Sequence, residues 1–196
     1  MSNEENYEIK MDGEKASFAG GATRYTKTGK GRYDLIPGEI IIDIINHAYD
    51  TYYCDGYMTT SKPDIIQCAY QTGTARYYDT IINLINWNYV EDGDVTKDDN
   101  NIESVKTTFN QFINGLCSML KALAIHYEKG AAAYGVDNWK KGIPVCGGDR
   151  GGSFTDSMLR HLNQYMLKQT DECHEIACIW NAIGALYASR YNENVD

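Results

Sequence analysis

Two stretches in the C-terminal third decide the fold: HYEKGAAAYGVDNWKKGIP (His126–Pro144) and SFTDSMLRHLNQYMLKQTDECHEIACIWNAIGALY (Ser153–Tyr187). In the second, Phe154, Met158, Leu162, Tyr165 and Met166 fall on one side of a helix. Ile176, Ile179, Trp180, Ile183, Leu186 and Tyr187 do the same in a following helix, taking about 100° per residue. Asp171 and Glu172 suit the positive end of a helix dipole, so the last helix is expected to start there. His161, the acidic group Asp171, Glu172 and Glu175, and Trp180-Asn181 lie on or beside these apolar sides, while Asp156 and Arg160 point away from theirs. Such groups are costly to bury without partners, so the helix pair is expected to grip a metal, a phosphate or a polar ligand.

Working outward, Val105, Phe109, Phe112, Leu116, Leu120, Leu123 and Tyr127 recur at helical spacing and predict a long helix over about 102–134. Gly115 is a candidate break, and Gly135 and Asn138 end the run. Further upstream, Pro37 opens a helix to about Tyr53, and Asp64–Tyr89 reads as helical with a break near Thr72–Thr74. EDGDVTKDDNN (Glu91–Asn101) reads as an acidic linker. Gly20–Glu39, rich in Gly and Thr with Arg24, Lys27, Lys30 and Arg32, reads as a loop. No strand alternation or internal repeat stands out. The expectation is an all-α bundle of four or five main helices: one domain over 21–196 behind a flexible polar lead at 1–20.

The chain has 196 residues, 43% hydrophobic and 23% charged, which fits a soluble globular domain. No apolar run is long enough to span a bilayer. The polar start MSNEENYEIK resembles neither a signal nor a transit peptide, so a cytoplasmic location is expected. Six cysteines without a CxxC pair read as reduced thiols, and Cys173, His174 and Cys178 match no common zinc spacing. A net charge of −9 argues against nucleic-acid polymers and anionic membranes as partners. It leaves room for a small phosphorylated ligand, because local cations or a metal reverse the field at one site.

Glu172-x-x-Glu175 is an i,i+3 carboxylate pair whose heads can meet at one ion, and Mg²⁺ favours such oxygen ligands. Glu128 borders the stripe of the long helix beside Ala124 and Ala131, small neighbours that leave room for an ion. Arg160 and Lys140 can meet phosphates, Trp139 can stack on a base, and His174 can hydrogen-bond a ligand. Gly29-Lys30-Gly31-Arg32 resembles a phosphate-contacting loop without the P-loop pattern. His126 and Lys129 are expected to face solvent, as is the polar face of Glu39, Asp43 and His47.

Together, KTGKGRYDLIP, HYEKGAAAYGVDNWKKGIP, DSMLRHL and DECHEIACIWN resemble the dATP/dGTP diphosphohydrolases of phages and prophages, distant relatives of the all-α MazG-type pyrophosphohydrolases. The resemblance implies hydrolysis of a purine dNTP to dNMP and pyrophosphate with Mg²⁺ or Mn²⁺, in the cytoplasm of an infected or lysogenic bacterium. It implies an acidic metal cluster at Glu128, Asp171, Glu172 and Glu175, with Glu128, Glu172 and Glu175 catalytic. Lys30, Arg32, Asn138, Trp139, Lys140, Arg160, His161, His174 and Asn181 would bind the nucleotide. A homo-oligomer, dimer or tetramer, is also implied.

Two departures stand out. About 43–114 is an insertion relative to short family members, and only one clear i,i+3 acidic pair is present. They motivate an alternative: a protein that binds and sequesters a nucleotide or a cyclic-nucleotide signal of host defence without turnover. The 16 tyrosines, clustered at Tyr49–Tyr57 and Tyr70–Tyr78, suggest a third reading, a partner-recruiting surface or an oligomer seam.

Overall fold

A computed structural model of the chain describes residues 15–17, 23–25, 29–55, 61–89, 102–143 and 153–193. The architecture is an all-α bundle, and the described residues also include one short antiparallel strand pair. Strand β1 (Lys15–Ser17) pairs antiparallel with β2 (Thr23–Tyr25). Three-residue strands are too short to show an alternation in sequence, and this pair crosses the boundary drawn at residue 20. Then come a 3₁₀ turn (Tyr33–Leu35), α1 (Gly38–Asp50) running into a π turn (Thr51–Asp55), α2 (Lys62–Ala69) and α3 (Ala75–Tyr89). After α4 (Ile102–Tyr134) and a 3₁₀ turn (Asn138–Gly142), the chain closes with α5 (Ser153–Met166) and α6 (His174–Glu193). The acidic linker Glu91–Asn101 lies outside the described residues.

Most expected boundaries hold. The break between α2 and α3 falls where Gly73 takes φ +86. Gly115 does not interrupt α4; it is buried within the helix. The start of α6 is a correction. Helix α5 ends with Lys168 at φ 57, and the Gln169 and Lys168 amides donate to the carbonyls of Gln164 and Tyr165 at 3.1 and 2.9 Å. This left-handed C-cap leads into a turn that holds Asp171 and Glu172, so α6 begins only at His174.

Helix α6 is the centre of the bundle. It packs most extensively against α5 and also contacts α1, α3 and α4. Ile176, Ile179 and Ile183 are buried as expected, but so are Ala177, Ala182, Ala185 and Ala188 on other sides. Small residues there let neighbours approach all round, which a one-sided stripe does not anticipate. Gly184 marks the tightest approach: a Cβ on it would lie 2.7 Å from the Phe154 ring.

The segment read as an insertion supplies core. Ile65, Tyr77, Ile81, Leu84, Ile85 and Phe112 are fully buried. Tyr49, Tyr52 and Tyr53 pack on Phe109, with ring centroids 5.6–5.8 Å apart; Tyr52 is buried, whereas Tyr49 and Tyr53 keep an exposed edge, and Tyr57 lies outside the described residues. Asp43 and His47 are likewise not a solvated face. Asp43 bridges to Arg190 at 2.8 Å, and His47 meets Asp79 at 2.9 Å and stacks on Tyr78.

Gly31 closes the N-terminal loop onto α4. Its φ is +82, and a Cβ would come within 2.8 Å of the Ala124 Cβ and 3.1 Å of the backbone. Gly31→Ala should therefore cost about 1–3 kcal/mol, from left-handed strain and overpacking. Urea unfolding of the variant against the parent protein measures this.

Candidate functional site

The site begins where α4 stops. Gly135, at φ +92, returns its amide to the Ala131 carbonyl at 2.9 Å, and Asp137 follows at φ 55. Two left-handed residues so close together fold Asn138 and Trp139 back beside α4. Trp139 then meets Tyr127, Phe154, Trp180 and Tyr187, with centroids 5.1–6.3 Å apart in edge-on geometry.

This aromatic cluster forms one wall of a cavity of about 870 Å³, to which Tyr127, Trp139 and Trp180 contribute. A cavity of this size suits an organic ligand of nucleotide dimensions. The remaining wall is ionic and polar: Lys129, Asp137 and Asn138 beside α4, Arg160 and His161 on α5, Asp171 and Glu172 in the α5–α6 turn, and Asn181 on α6.

The sequence-expected residues divide. Asn138, Trp139, Arg160, His161, Asp171, Glu172 and Asn181 line the cavity; Lys30, Arg32, Glu128, Lys140, His174 and Glu175 do not. Arg32 forms a two-point pair with Asp34 at 2.7 and 2.8 Å. Lys140 pairs with Asp137 at 3.1 Å and sits over the Trp139 and Tyr187 rings.

Glu128 is a correction. Its two carboxylate oxygens accept the Gly29 and Gly31 amides, each at 2.9 Å. The space beside Ala124, expected to hold an ion, is filled by this loop, whose Arg32 amide donates to the Ala124 carbonyl at 2.9 Å. Glu128 thus clamps backbone. Glu175 is a second correction. Its Oε1 is buried without a hydrogen-bond partner, and burial, partly offset by the Tyr89 hydroxyl, raises its carboxyl above the ordinary range. The expected four-carboxylate cage does not form: among the described residues, Glu128, Asp171, Glu172 and Glu175 do not converge, and of the four only Asp171 and Glu172 face the cavity.

A histidine chain stands in its place. Asp171 Oδ1 lies 2.9 Å from His174 Nε2, and His174 Nδ1 lies 3.2 Å from His161 Nδ1. The hydrogen bond to His174 lowers the Asp171 carboxyl below its ordinary value, so it only accepts. His174 therefore donates from Nε2, and in a neutral ring its Nδ1 carries the lone pair that accepts His161 Nδ1–H. Burial lowers the pKa of His161, favouring the neutral ring. His174 is nine-tenths or more buried, with the cavity-lining His161 and Glu172 beside it.

His126 is a residue that the sequence reading misplaced. It lines the cavity, packs 5.8 Å from the Trp180 ring, and is half-buried, which lowers its pKa. A usable signal existed: His126, Lys129, Gly130, Ala133 and Tyr134 share a second face of α4, and its small residues leave open space there.

A family model described as dATP/dGTP diphosphohydrolase, N-terminal, matches residues 96–196. That span holds α4, α5, α6 and every cavity residue except Leu35. No curated protein and no solved structure was found to match the chain. Among the described residues, no helix is long and apolar enough to cross a membrane.

Ionised Glu175 is disfavoured in the fold, so folding favours its protonated form. That penalty is absent below the unfolded carboxyl pKa and grows as pH rises through the raised folded value. Glu175→Gln should therefore raise Tm, with a larger gain at pH 8 than at pH 5; thermal melts at both values check this.

Proposed function

Because the chain belongs to the dATP/dGTP diphosphohydrolase family, we propose that it hydrolyses a purine deoxynucleoside triphosphate to the monophosphate and pyrophosphate, with a divalent metal. The observation that carries this reading is the division of the cavity into an aromatic wall and an ionic wall, almost wholly within the matched segment. A purine ring fits against Trp139 and Trp180 by stacking or edge contacts. Arg160, which is exposed and among the described residues meets Gln164 at 3.4 Å, has the freedom to turn its planar fork onto phosphate oxygens. Lys129, also exposed, adds a point charge at the same cavity.

The charge balance supports metal dependence. Asp137 is already paired with Lys140, so the carboxylates that a triphosphate would meet in the lining are Asp171 and Glu172, on the same side as His161. A cation that accompanies the phosphates would offset their repulsion. A bound divalent ion supplies charge neutralisation and activation of water. The chain's own residues bind the base, orient the phosphates and hold the histidine chain in one arrangement.

Incubating the protein with each dNTP and NTP, with Mg²⁺ or Mn²⁺ and then EDTA, should give monophosphate and pyrophosphate from a purine dNTP only when metal is present. Nucleotide held tightly without product, unaffected by EDTA, would instead support the sequestering alternative. Arg160→Ala should lower nucleotide affinity about tenfold or more, the scale of one lost charge-assisted contact, while leaving Tm unchanged. Isothermal titration and a thermal melt on the same preparation separate the two effects.

A further inference from the structure

The carboxylates that fail to converge leave His161, Glu172 and His174, the one such group among the described residues, with one potential ligand atom each and all three atoms within 4.8 Å of one another. We propose that these three residues form a binding site for one transition-metal dication, of the Mn²⁺, Co²⁺ or Zn²⁺ class, in preference to Mg²⁺. Such a site follows from the side-chain geometry whether or not the protein carries out the proposed reaction.

Two nitrogens each about 2.1 Å from one ion, at an ordinary ligand angle near 100°, lie roughly 3.2 Å apart. His161 Nδ1 and His174 Nδ1 are 3.2 Å apart. As they stand, the two rings share one hydrogen bond. Moving the His161 hydrogen to Nε2 and rotating the ring modestly gives two lone pairs aimed at a common point, with no change in charge.

Asp171 adds the outer contact that metal-binding histidines commonly have. It accepts His174 Nε2–H at 2.9 Å, which fixes the tautomer with the Nδ1 lone pair facing His161. The ligands also differ in exposure. Both histidines are buried, whereas Glu172 is exposed, and His161 and Glu172 line the cavity. An ion there would have protein ligands on one side and open positions towards the cavity, the pattern of a reactive rather than a purely structural site. Two imidazoles and one carboxylate select borderline ions; Mg²⁺ prefers oxygen ligands and retains its waters.

The test uses the full chain without nucleotide. Equilibrium dialysis with Mn²⁺, Co²⁺, Zn²⁺ or Mg²⁺ measures binding, and electron spin-echo spectroscopy of the Mn²⁺ form detects ligand nitrogen. One Mn²⁺ with nitrogen coupling is expected, bound at least tenfold more tightly than Mg²⁺. Glu172→Gln, at an exposed position, should weaken it at least tenfold with the circular dichroism unchanged, and Asp171→Asn about 10–100-fold. His161→Asn should reduce the nitrogen coupling. No preference over Mg²⁺, no nitrogen coupling, or equal binding by folded Glu172→Gln overturns the site. The reaction is judged separately: metal binding without nucleotide turnover defeats the hydrolase reading alone, whereas turnover without this binding defeats the metal site alone.

Discussion

The bundle depends on one helix that has no outside. Helix α6 is buried on nearly every side, and helices of that kind must replace bulky side chains with small ones wherever a neighbour crosses. Ala177, Ala182, Gly184, Ala185 and Ala188 do this, and Phe154 presses into the groove over Gly184. Burial also means that a polar group at the N-terminal end of α6 needs a partner. His174 finds two, Asp171 and His161. The arrangement of the cavity wall follows from packing the central helix.

The same constraint explains what the sequence revealed and what it hid. Helix periods were legible because apolar residues such as Phe112, Leu116, Leu123, Ile179 and Ile183 repeat on a face whatever they later touch. Helix ends were legible, at Gly135 and near Leu167, but not how far the left-handed turn at Lys168 carries the chain before the next helix begins. Starting the last helix at Asp171 rather than His174 moved Asp171 and Glu172 onto a helix face they do not occupy, and with them the expected i,i+3 pair.

Site residues were legible as a set and misread in their roles. Trp139, Arg160, His161, Glu172 and Asn181 do meet at one cavity, although the first and the last are 42 positions apart. Glu128 looked like a ligand because a carboxylate beside alanines suggests free space. The Gly29–Gly31 loop that fills this space lies nearly a hundred positions away. Spacing along one helix cannot report a contact of that range. His126 was misread for the converse reason: the cavity it lines is made by elements that arrive later in the chain.

The similarity detected over 96–196 has an edge that the physical structure lacks. Tyr77 shares a 2.8 Å hydrogen bond with Thr155, the Tyr165 hydroxyl donates to Asn88, and Ile81, Leu84 and Ile85 are sealed within the shared core. Cutting the chain where the match begins would strip α3 from α4 and α6 and leave their apolar faces wet. The matched segment carries the pocket apart from Leu35, while the packing that holds it as a folded object extends to residues on both sides of the match's edge.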